Sequence, residues 1–445
     1  MIRRISITVI IVLTLLTAAS AQTLDKAKLD QLFDRLAEKN KAMGSVVIVR
    51  DGNVLYTRSI GSSQINGTEN KPLTSASRYR IGSITKMFTA VMILQLAEEG
   101  KLKLTDTLDK FFPQIPNAKK ITIAQILAHR SGIHDSLIDQ NLRTVARTTA
   151  ATRDELLAIV AKGTPDFEPD TKHSYSNSGY FLLGLIIEKI TGKPYEEALR
   201  TRITSKLSLK DTYVATGNID VTNNEALTYF RLGNEWKQTQ ETHPSNLFGG
   251  GFIISTPLDM ARFIQALFDL KLISKASLAS MKTMRDDYGY GIGPFTFAGK
   301  TFYGHTGGAD NYGAWLAYLP EEKLAVAYTT NAKVYPVKEI VGGVVDIYYN
   351  KPFQIPTFEA FAISTEVLDK YAGIYSNPDA PVKLTISRQG STLYFQPPGE
   401  SAVALEATAE NKFQIEGAVV FEFDAAKNQM TVKRRGGERV FTKEK

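Results

Sequence analysis

Ser83-Ile84-Thr85-Lys86 runs without a break into Met87-Phe88-Thr89-Ala90-Val91-Met92-Ile93-Leu94. That run is apolar nearly all round, so a helix over residues 83–99 has no polar face to give to water and has to be enclosed by the rest of the fold. Ser83 and Lys86 stand three positions apart, one turn along the same face. A serine hydroxyl is a weak nucleophile until a neighbouring base takes its proton. Burial makes a lysine easier to deprotonate, because a low-dielectric surrounding penalises the ammonium. Ile81-Gly82 lets the backbone turn tightly into the helix, whose first N–H groups are free to meet developing negative charge. Alone, a Ser-x-x-Lys arises by chance in a chain this long, as an N-cap serine with a snorkelling lysine. Its weight comes from the rest of the sequence.

Outward from this helix the pattern is mixed. Ser45-Val46-Val47-Ile48-Val49 and Val54-Leu55-Tyr56-Thr57 flank Asp51-Gly52, a strong hairpin signal. Residues 314–319 and 324–329 flank Pro320-Glu321-Glu322-Lys323 and predict a second hairpin. Between the hairpins lie helical stretches, one opening at Ser255 or Thr256 with Pro257 in the first helical position. Strands near both ends with helices between them predict an α+β fold: one antiparallel sheet, closed by the chain's two ends, flanked by helices and joined to a mainly helical region. At Asn350-Lys351-Pro352-Phe353-Gln354-Ile355-Pro356 the composition shifts. Beyond it short alternating strands (Val382, Leu384, Ile386; Leu393, Phe395; Phe421, Phe423; Met430, Val432) predict a small all-β domain, a barrel or a sandwich. The expected division is 1–21 signal peptide, 22–350 main domain, 351–358 linker and 359–445 β-domain.

The signal rests on Arg3 and Arg4, the apolar stretch Ile5–Thr17 and the small-x-small site Ala19-Ser20-Ala21. The stretch is about 13 residues, short of the roughly 20 that span a bilayer. A mature chain without a transmembrane segment, periplasmic or secreted, is expected. The 445 residues contain no cysteine, which excludes disulfides, thiolate metal sites, a cysteine nucleophile and a lipid-anchoring cysteine. The net charge of +7 is modest for the length, and neither a basic run nor an aromatic-interleaved patch points to nucleic acid; Lys433-Arg434-Arg435 reads as a solvated strand end. His134, His173 and His243 show no metal-ligand spacing with one another or with carboxylates, so neither metal nor cofactor is expected.

Two further motifs follow the first in chain order, Tyr175-Ser176-Asn177 and His305-Thr306-Gly307-Gly308. Two other Tyr-x-Asn triplets are set aside on context: Tyr348-Tyr349-Asn350 ends the last helix of the main domain, and Tyr375-Ser376-Asn377 falls in the β-domain before Pro378. The three motifs, with Gly100-Lys101-Leu102-Lys103-Leu104-Thr105-Asp106, Ile126-Leu127-Ala128-His129-Arg130-Ser131-Gly132 and residues 249–256, resemble the active-site elements of the serine β-lactamase and penicillin-binding-protein superfamily. The likeness is to its class C-like branch, with DD-carboxypeptidases, D-aminopeptidases and esterases, and covers roughly residues 25–350.

The resemblance implies that Ser83 is the nucleophile, that Lys86 and Tyr175 move protons, and that Asn177 orients the substrate amide. It leaves open which group takes the first proton. It also implies that Ser83 and Gly308 supply the oxyanion N–H groups, with His305, Thr306 and Gly307 lining the substrate. One departure matters. Where β-lactamases carry Lys-Thr-Gly this chain has His305-Thr306-Gly307, and Gly308 replaces a hydroxyl residue. A histidine is mostly neutral near pH 7, so peptidase or esterase activity is expected above β-lactamase activity. His129 is read as fixing a helix-to-loop turn. The expected function is an extracytoplasmic serine hydrolase forming a Ser83 acyl-enzyme on amide or ester substrates, D-amino-acid peptides and peptidoglycan fragments among them. The alternatives are a β-lactamase and a silent peptidoglycan-binding relative.

Overall fold

The computed structural model describes residues 24–444, apart from 68, 140, 143–145, 233–234, 359–360, 379, 397–401, 416–418 and 435–436. The expected signal over residues 1–21 lies outside the described residues, as does Arg435 of the basic cluster.

The first hairpin pairs β1 (Ala42–Arg50) with β2 (Asn53–Ile60). Asp51 and Gly52 both take positive φ, 46° and 80°, as a two-residue primed turn requires. Four later strands complete the sheet: β3 (Gly293–Phe297), β4 (Lys300–Ala309), β5 (Tyr312–Leu319) and β6 (Leu324–Lys333). The spatial order is β3-β4-β5-β6-β1-β2, antiparallel throughout. The two ends of the chain meet where Ile48 of β1 stands opposite Val326 of β6, as the hairpin pattern predicts.

Strand side chains alternate between faces, and β1 shows it directly. Val46 and Ile48 join one core, with Phe33 from α1 (Lys26–Glu38) and Val344 from a later C-terminal helix, while Val47 and Val49 join another. The second core is built on α2 (Thr85–Glu98), α3 (Asn177–Thr191) and α4 (Pro257–Phe268). The helix supplying Val344 is α5 (Val337–Tyr348). Thr256 caps α4 by accepting the N–H of Asp259, with Pro257 in the first turn. Residues 85–96 of α2 are all buried, as its all-round apolar sequence demands.

At one point the expectation needs correction. Ser83 is not in the α-helix but in a single 3-10 turn, Gly82–Ile84, that precedes it. Gly82 enters this turn at φ +53°, where a Cβ would stand 2.4 Å from the N of Gly308. Tight contact with β4 therefore winds the entry more closely than a regular helix, and only glycine fits.

Residues 351–358 carry neither helix nor strand. A short helix, Thr365–Tyr371, leads into a nine-stranded antiparallel sheet with its own core of Leu393, Phe413, Phe421, Phe423 and Met430. Its two outermost strands, Val403–Ala404 and Glu406–Ala409, are neighbours in sequence, so the sheet curls into a nearly closed barrel. Of the two architectures expected, the barrel is the one formed. It meets the main domain where Lys41 pairs with Glu406 and lies over the ring of Phe358.

Candidate active site

The three motifs converge on one cavity of about 950 Å³, lined by Ser83, Tyr175, Asn177, Gly250 and residues 305–308. Lys86 lies beneath it, fully buried. Its Nζ is 3.1 Å from Ser83 Oγ, 2.9 Å from Asn177 Oδ1 and 2.9 Å from the carbonyl oxygen of Gly250. Burial pushes its pKa from 10.5 down to about 7, against an upward pull from the Asp135 carboxylate. At neutral pH a large share of Lys86 is thus the free amine.

That amine has two N–H groups and one lone pair. The Gly250 carbonyl can only accept, so one N–H goes there. Asn177 is fixed by Asp135: its Nδ2 donates to Asp135 Oδ2 at 2.8 Å, while the N–H groups of Asn177 and Ser178 donate to Oδ1 at 2.9 and 3.2 Å. A carboxylate accepts only, so the amide nitrogen of Asn177 faces Asp135 and its oxygen faces Lys86. The second N–H of Lys86 goes there. The lone pair is left for Ser83 O–H. The bland reading of Lys86, an ordinary snorkelling side chain, fails because its nitrogen points inward and stays dry.

Tyr175 borders the cavity, with Lys86 Nζ 4.7 Å from its ring centre and the His129 ring 4.2 Å away. His129 adopts φ +55°, and it accepts from Ser174 N at its carbonyl and from Ser176 N at Nδ1. It fixes the turn as expected, and by gripping both neighbours of Tyr175 it also holds that ring in place. Tyr180, the next phenol along, is committed elsewhere, donating to the Leu127 carbonyl at 2.8 Å.

On the far wall, β3 pairs with β4 only as far as Gly293 and Gly304, which leaves His305–Ala309 open on that side. β4 is thus an edge only over its last residues. There it lies against the Ser83 turn: a Cβ on Gly307 would sit 1.9 Å from the carbonyl oxygen of Ile81. His305 is buried. Its Nδ1 donates to the carbonyl of Thr306, so Nε2 accepts from Tyr288 O–H at 2.9 Å. Burial, helped by the nearby Lys86 and opposed by the bond to the Thr306 carbonyl, pushes its pKa from 6.5 down to about 4. The imidazole is neutral at pH 7, as expected from sequence.

The two set-aside triplets are elsewhere, with Tyr375 buried and donating to the Tyr371 carbonyl and Tyr348 packed in the core behind the sheet. Three residues near the site escaped sequence reasoning: Asp135, Tyr288 and Lys333. Asp135 lies three positions past Ser131-Gly132, and that proximity to a landmark segment was its only signal. His134 has two carboxylate partners, Asp166 on Nδ1 at 2.7 Å and Asp139 on Nε2 at 3.1 Å, brought together by loop folding rather than by sequence spacing.

A sequence profile described as Beta-lactamase matches residues 29–344. Penicillin-binding protein 4* of Bacillus subtilis (strain 168) is 28% identical over 436 residues, which is 90% of this chain and 95% of that protein. The D-amino acid amidase from Ochrobactrum anthropi SV3, solved with L-phenylalanine amide, superposes with a TM-score of 0.64 at 26% identity over 73% of this chain and 98% of its own. An octameric penicillin-binding protein homologue from Pyrococcus abyssi superposes with a TM-score of 0.64 at 25% identity, over 94% of this chain and all of its own (100%). The profile spans the sheet, the helices and all three motifs, and with that agreement the chain belongs to the beta-lactamase family.

Proposed function

We propose that this protein is a serine hydrolase that opens amide or ester bonds of D-amino-acid derivatives through an acyl-enzyme on Ser83. The observation that carries the reading is the Lys86 amine, dry, with both N–H groups committed and its lone pair left for Ser83. Ser83 Oγ adds to the substrate carbonyl carbon as its proton passes to Lys86 Nζ. The carbonyl oxygen becomes an oxyanion facing the N–H groups of Ser83 and Gly308. The carbon–nitrogen or carbon–oxygen bond then breaks, the leaving group taking a proton relayed from Lys86 through the Tyr175 hydroxyl. Water attacks the ester so formed, gives up its proton along the same path and frees Ser83. His305, neutral and bound to Tyr288, shapes the wall without adding charge, and Asn177 orients the substrate amide.

The amidase likeness favours D-amino-acid amides and short peptides over β-lactams as substrates. Every catalytic group precedes residue 350, so the activity is assigned to residues 22–350 and none of it to the β-domain. Export rests on the N-terminal sequence together with the absence, among the described residues, of any helix long and apolar enough to cross a membrane.

The test is intact-mass analysis after exposure to a fluorophosphonate, a penicillin and an activated D-alanyl ester. A single adduct on the peptide containing Ser83, lost in Ser83→Ala, is expected. An adduct on another serine, or turnover retained by Ser83→Ala, overturns the assignment. Folded protein that takes no adduct but binds the ligands would make it a silent binding relative.

A further inference from the structure

Arg130 follows His129, the residue that grips both neighbours of Tyr175, and its side chain is only 8% exposed. A guanidinium keeps its charge and carries five donors in one plane, so burial commits it to acceptors in fixed directions. Two segments supply them. In the loop leading to Tyr175, Arg130 Nε donates to Asp170 Oδ1 at 2.9 Å and Nη2 to the Asp170 carbonyl at 2.6 Å. Asp170 N donates back to the Arg130 carbonyl at 2.7 Å. In the segment leading to Tyr288, Nη1 donates to Asp286 Oδ2. Arg285 joins the two segments again by donating to Asp170 Oδ1 at 2.6 Å. Asp170, Asp286 and Asp287 take φ of +71°, +53° and +58°, a region that side chains rarely adopt. Around Asp286-Asp287, Arg285 and Tyr288 exchange backbone hydrogen bonds of 3.0 and 3.2 Å. The result is a turn of the same hand as that at Asp51-Gly52 but made without glycine, and it presents Tyr288 to His305.

We propose that Arg130 is a positioning residue that ties the Tyr175 loop to the Tyr288 turn and so keeps both segments closed over Lys86. Each segment covers a different side of that lysine. The Tyr175 ring lies 4.7 Å from Lys86 Nζ and meets the Tyr288 ring edge-on at 6.3 Å. The Tyr288 segment runs on to Gly291, where a Cβ would stand 2.8 Å from the Lys86 carbonyl oxygen and 3.0 Å from the Tyr180 hydroxyl. His173 packs between the two, its ring 5.7 Å from that of Tyr288. Asp170, Arg285 and Asp286 are about half exposed, and ion pairs in such positions hold little alone. Arg130 differs because one buried, planar fork engages both segments at once. A lysine, a point charge on a flexible stem, lacks that fork. The charged and titratable groups around Lys86 itself are Asp135, His129 and His305, the two imidazoles being neutral at pH 7. Parting the segments therefore brings water to Lys86 rather than a new charge.

The inference rests on the hydrolase reading for its kinetic measurement but not for its titration. The titration follows Lys86 by NMR of isotope-labelled lysine, in Ser83→Ala protein carrying Arg130→Met, Asp286→Gly or both. Glycine accepts the positive φ of position 286 and so cuts the link while keeping the turn; it decides the matter alone if Arg130→Met does not fold. The Lys86 midpoint, about 7 in the intact protein, is expected to rise by roughly 0.5–1 pH unit in each variant, as water relieves part of the burial penalty. The double variant should rise no further, because both changes cut one link. The two substitutions remove charges of opposite sign, so a field effect would move the midpoint in opposite directions, whereas loss of cover raises it in both. An unchanged or lowered midpoint in folded Asp286→Gly overturns the inference, and so does an additive rise in the double variant. In the kinetic measurement, acylation by an activated D-alanyl ester at pH 7 is expected to slow about 10-fold in Asp286→Gly, as for misplaced catalytic groups, with its pH midpoint raised alongside. Normal acylation in that variant also overturns the inference. Protein that titrates as expected but takes no acyl group would uphold the role of Arg130 and sink the hydrolase reading instead.

Discussion

The two walls of the cavity are built on opposite principles. On the Ser83–Lys86 wall Lys86 Nζ and both ends of the Asn177 amide are committed to partners, most of them from short segments with their own signatures. On the β4 wall the cavity is lined by a backbone edge, two glycines and a neutral His305. The first wall is specified by hydrogen-bond counting and the second by what is missing. The first should accordingly fail sharply when one atom is changed, and the second should change what it prefers rather than whether it works.

The sharpest test of the first wall is Lys86→Met, which keeps the stem and removes the amine. Acylation should fall by at least about 100-fold, as when a positioned base is lost. In the unsubstituted enzyme the acylation rate should climb with pH through a midpoint near 7, because the amine is the active form and burial sets its pKa there. Stopped-flow acylation across pH 5.5–9 shows both. A pH-independent rate, or near-normal acylation by folded Lys86→Met, would move the base elsewhere.

Asp135→Asn tests the next link outward. An asparagine at 135 can face Asn177 with either end, so the orientation of Asn177 is no longer imposed. Acylation should drop roughly 10- to 100-fold, in the range of general-base effects. The direction of the pH midpoint distinguishes this from simple damage. Asp135 raises the pKa of Lys86, so without that charge the midpoint should move to lower pH. A midpoint that moves up, or stays, would mean that Asp135 does not act on Lys86.

What was legible follows the same division. Ser83 and Lys86 are three residues apart, Tyr175 and Asn177 two, and the Asp51-Gly52 and Pro320–Lys323 hairpins are local; their geometry is set by covalent spacing, which a sequence displays. The sheet closure followed because strands lay at both ends. Asp135 meets Asn177 across 42 residues, and Tyr288 meets His305 through a loop that has no repeating pattern. The 3-10 entry at Ser83 was hidden for a similar reason, since contact with β4 rather than local propensity sets it.

Stability gives a subtler check on the buried lysine. The folded-state pKa lies below that of the exposed side chain, so the folded protein releases a proton that the unfolded chain keeps. Between pH 7 and 10.5 the unfolded state binds more protons, and stability rises with pH. Below pH 7 the ammonium stays buried and the penalty is complete, up to roughly 5 kcal/mol for the drop from 10.5 to about 7. Lys86→Met should therefore stabilise the fold at pH 6 and lose that advantage steadily toward pH 10. Urea melts at three pH values would show the gap narrow; a gap that stayed constant would mean the lysine is charged and well solvated in the folded state.

The smallest effect is expected on the β4 wall, from Tyr288→Phe. This change removes the O–H that donates to His305 Nε2 and leaves the ring stacked edge-on against the imidazole at 5.7 Å. An unpaired buried Nε2 costs roughly 1–3 kcal/mol of stability, so the melting temperature should fall measurably. Turnover should fall less than about 10-fold, below the range for loss of a catalytic proton carrier, because His305 stays neutral and no proton path runs through it. Burial is the first cause of its low pKa, and that burial survives the substitution. The pH profile should thus keep one rising limb, that of Lys86, with no second limb between pH 5 and 8. A new limb in that interval would show that the Tyr288 bond, and not burial, keeps His305 uncharged. The β4 wall would then be as dependent on a single hydrogen bond as the lysine wall opposite.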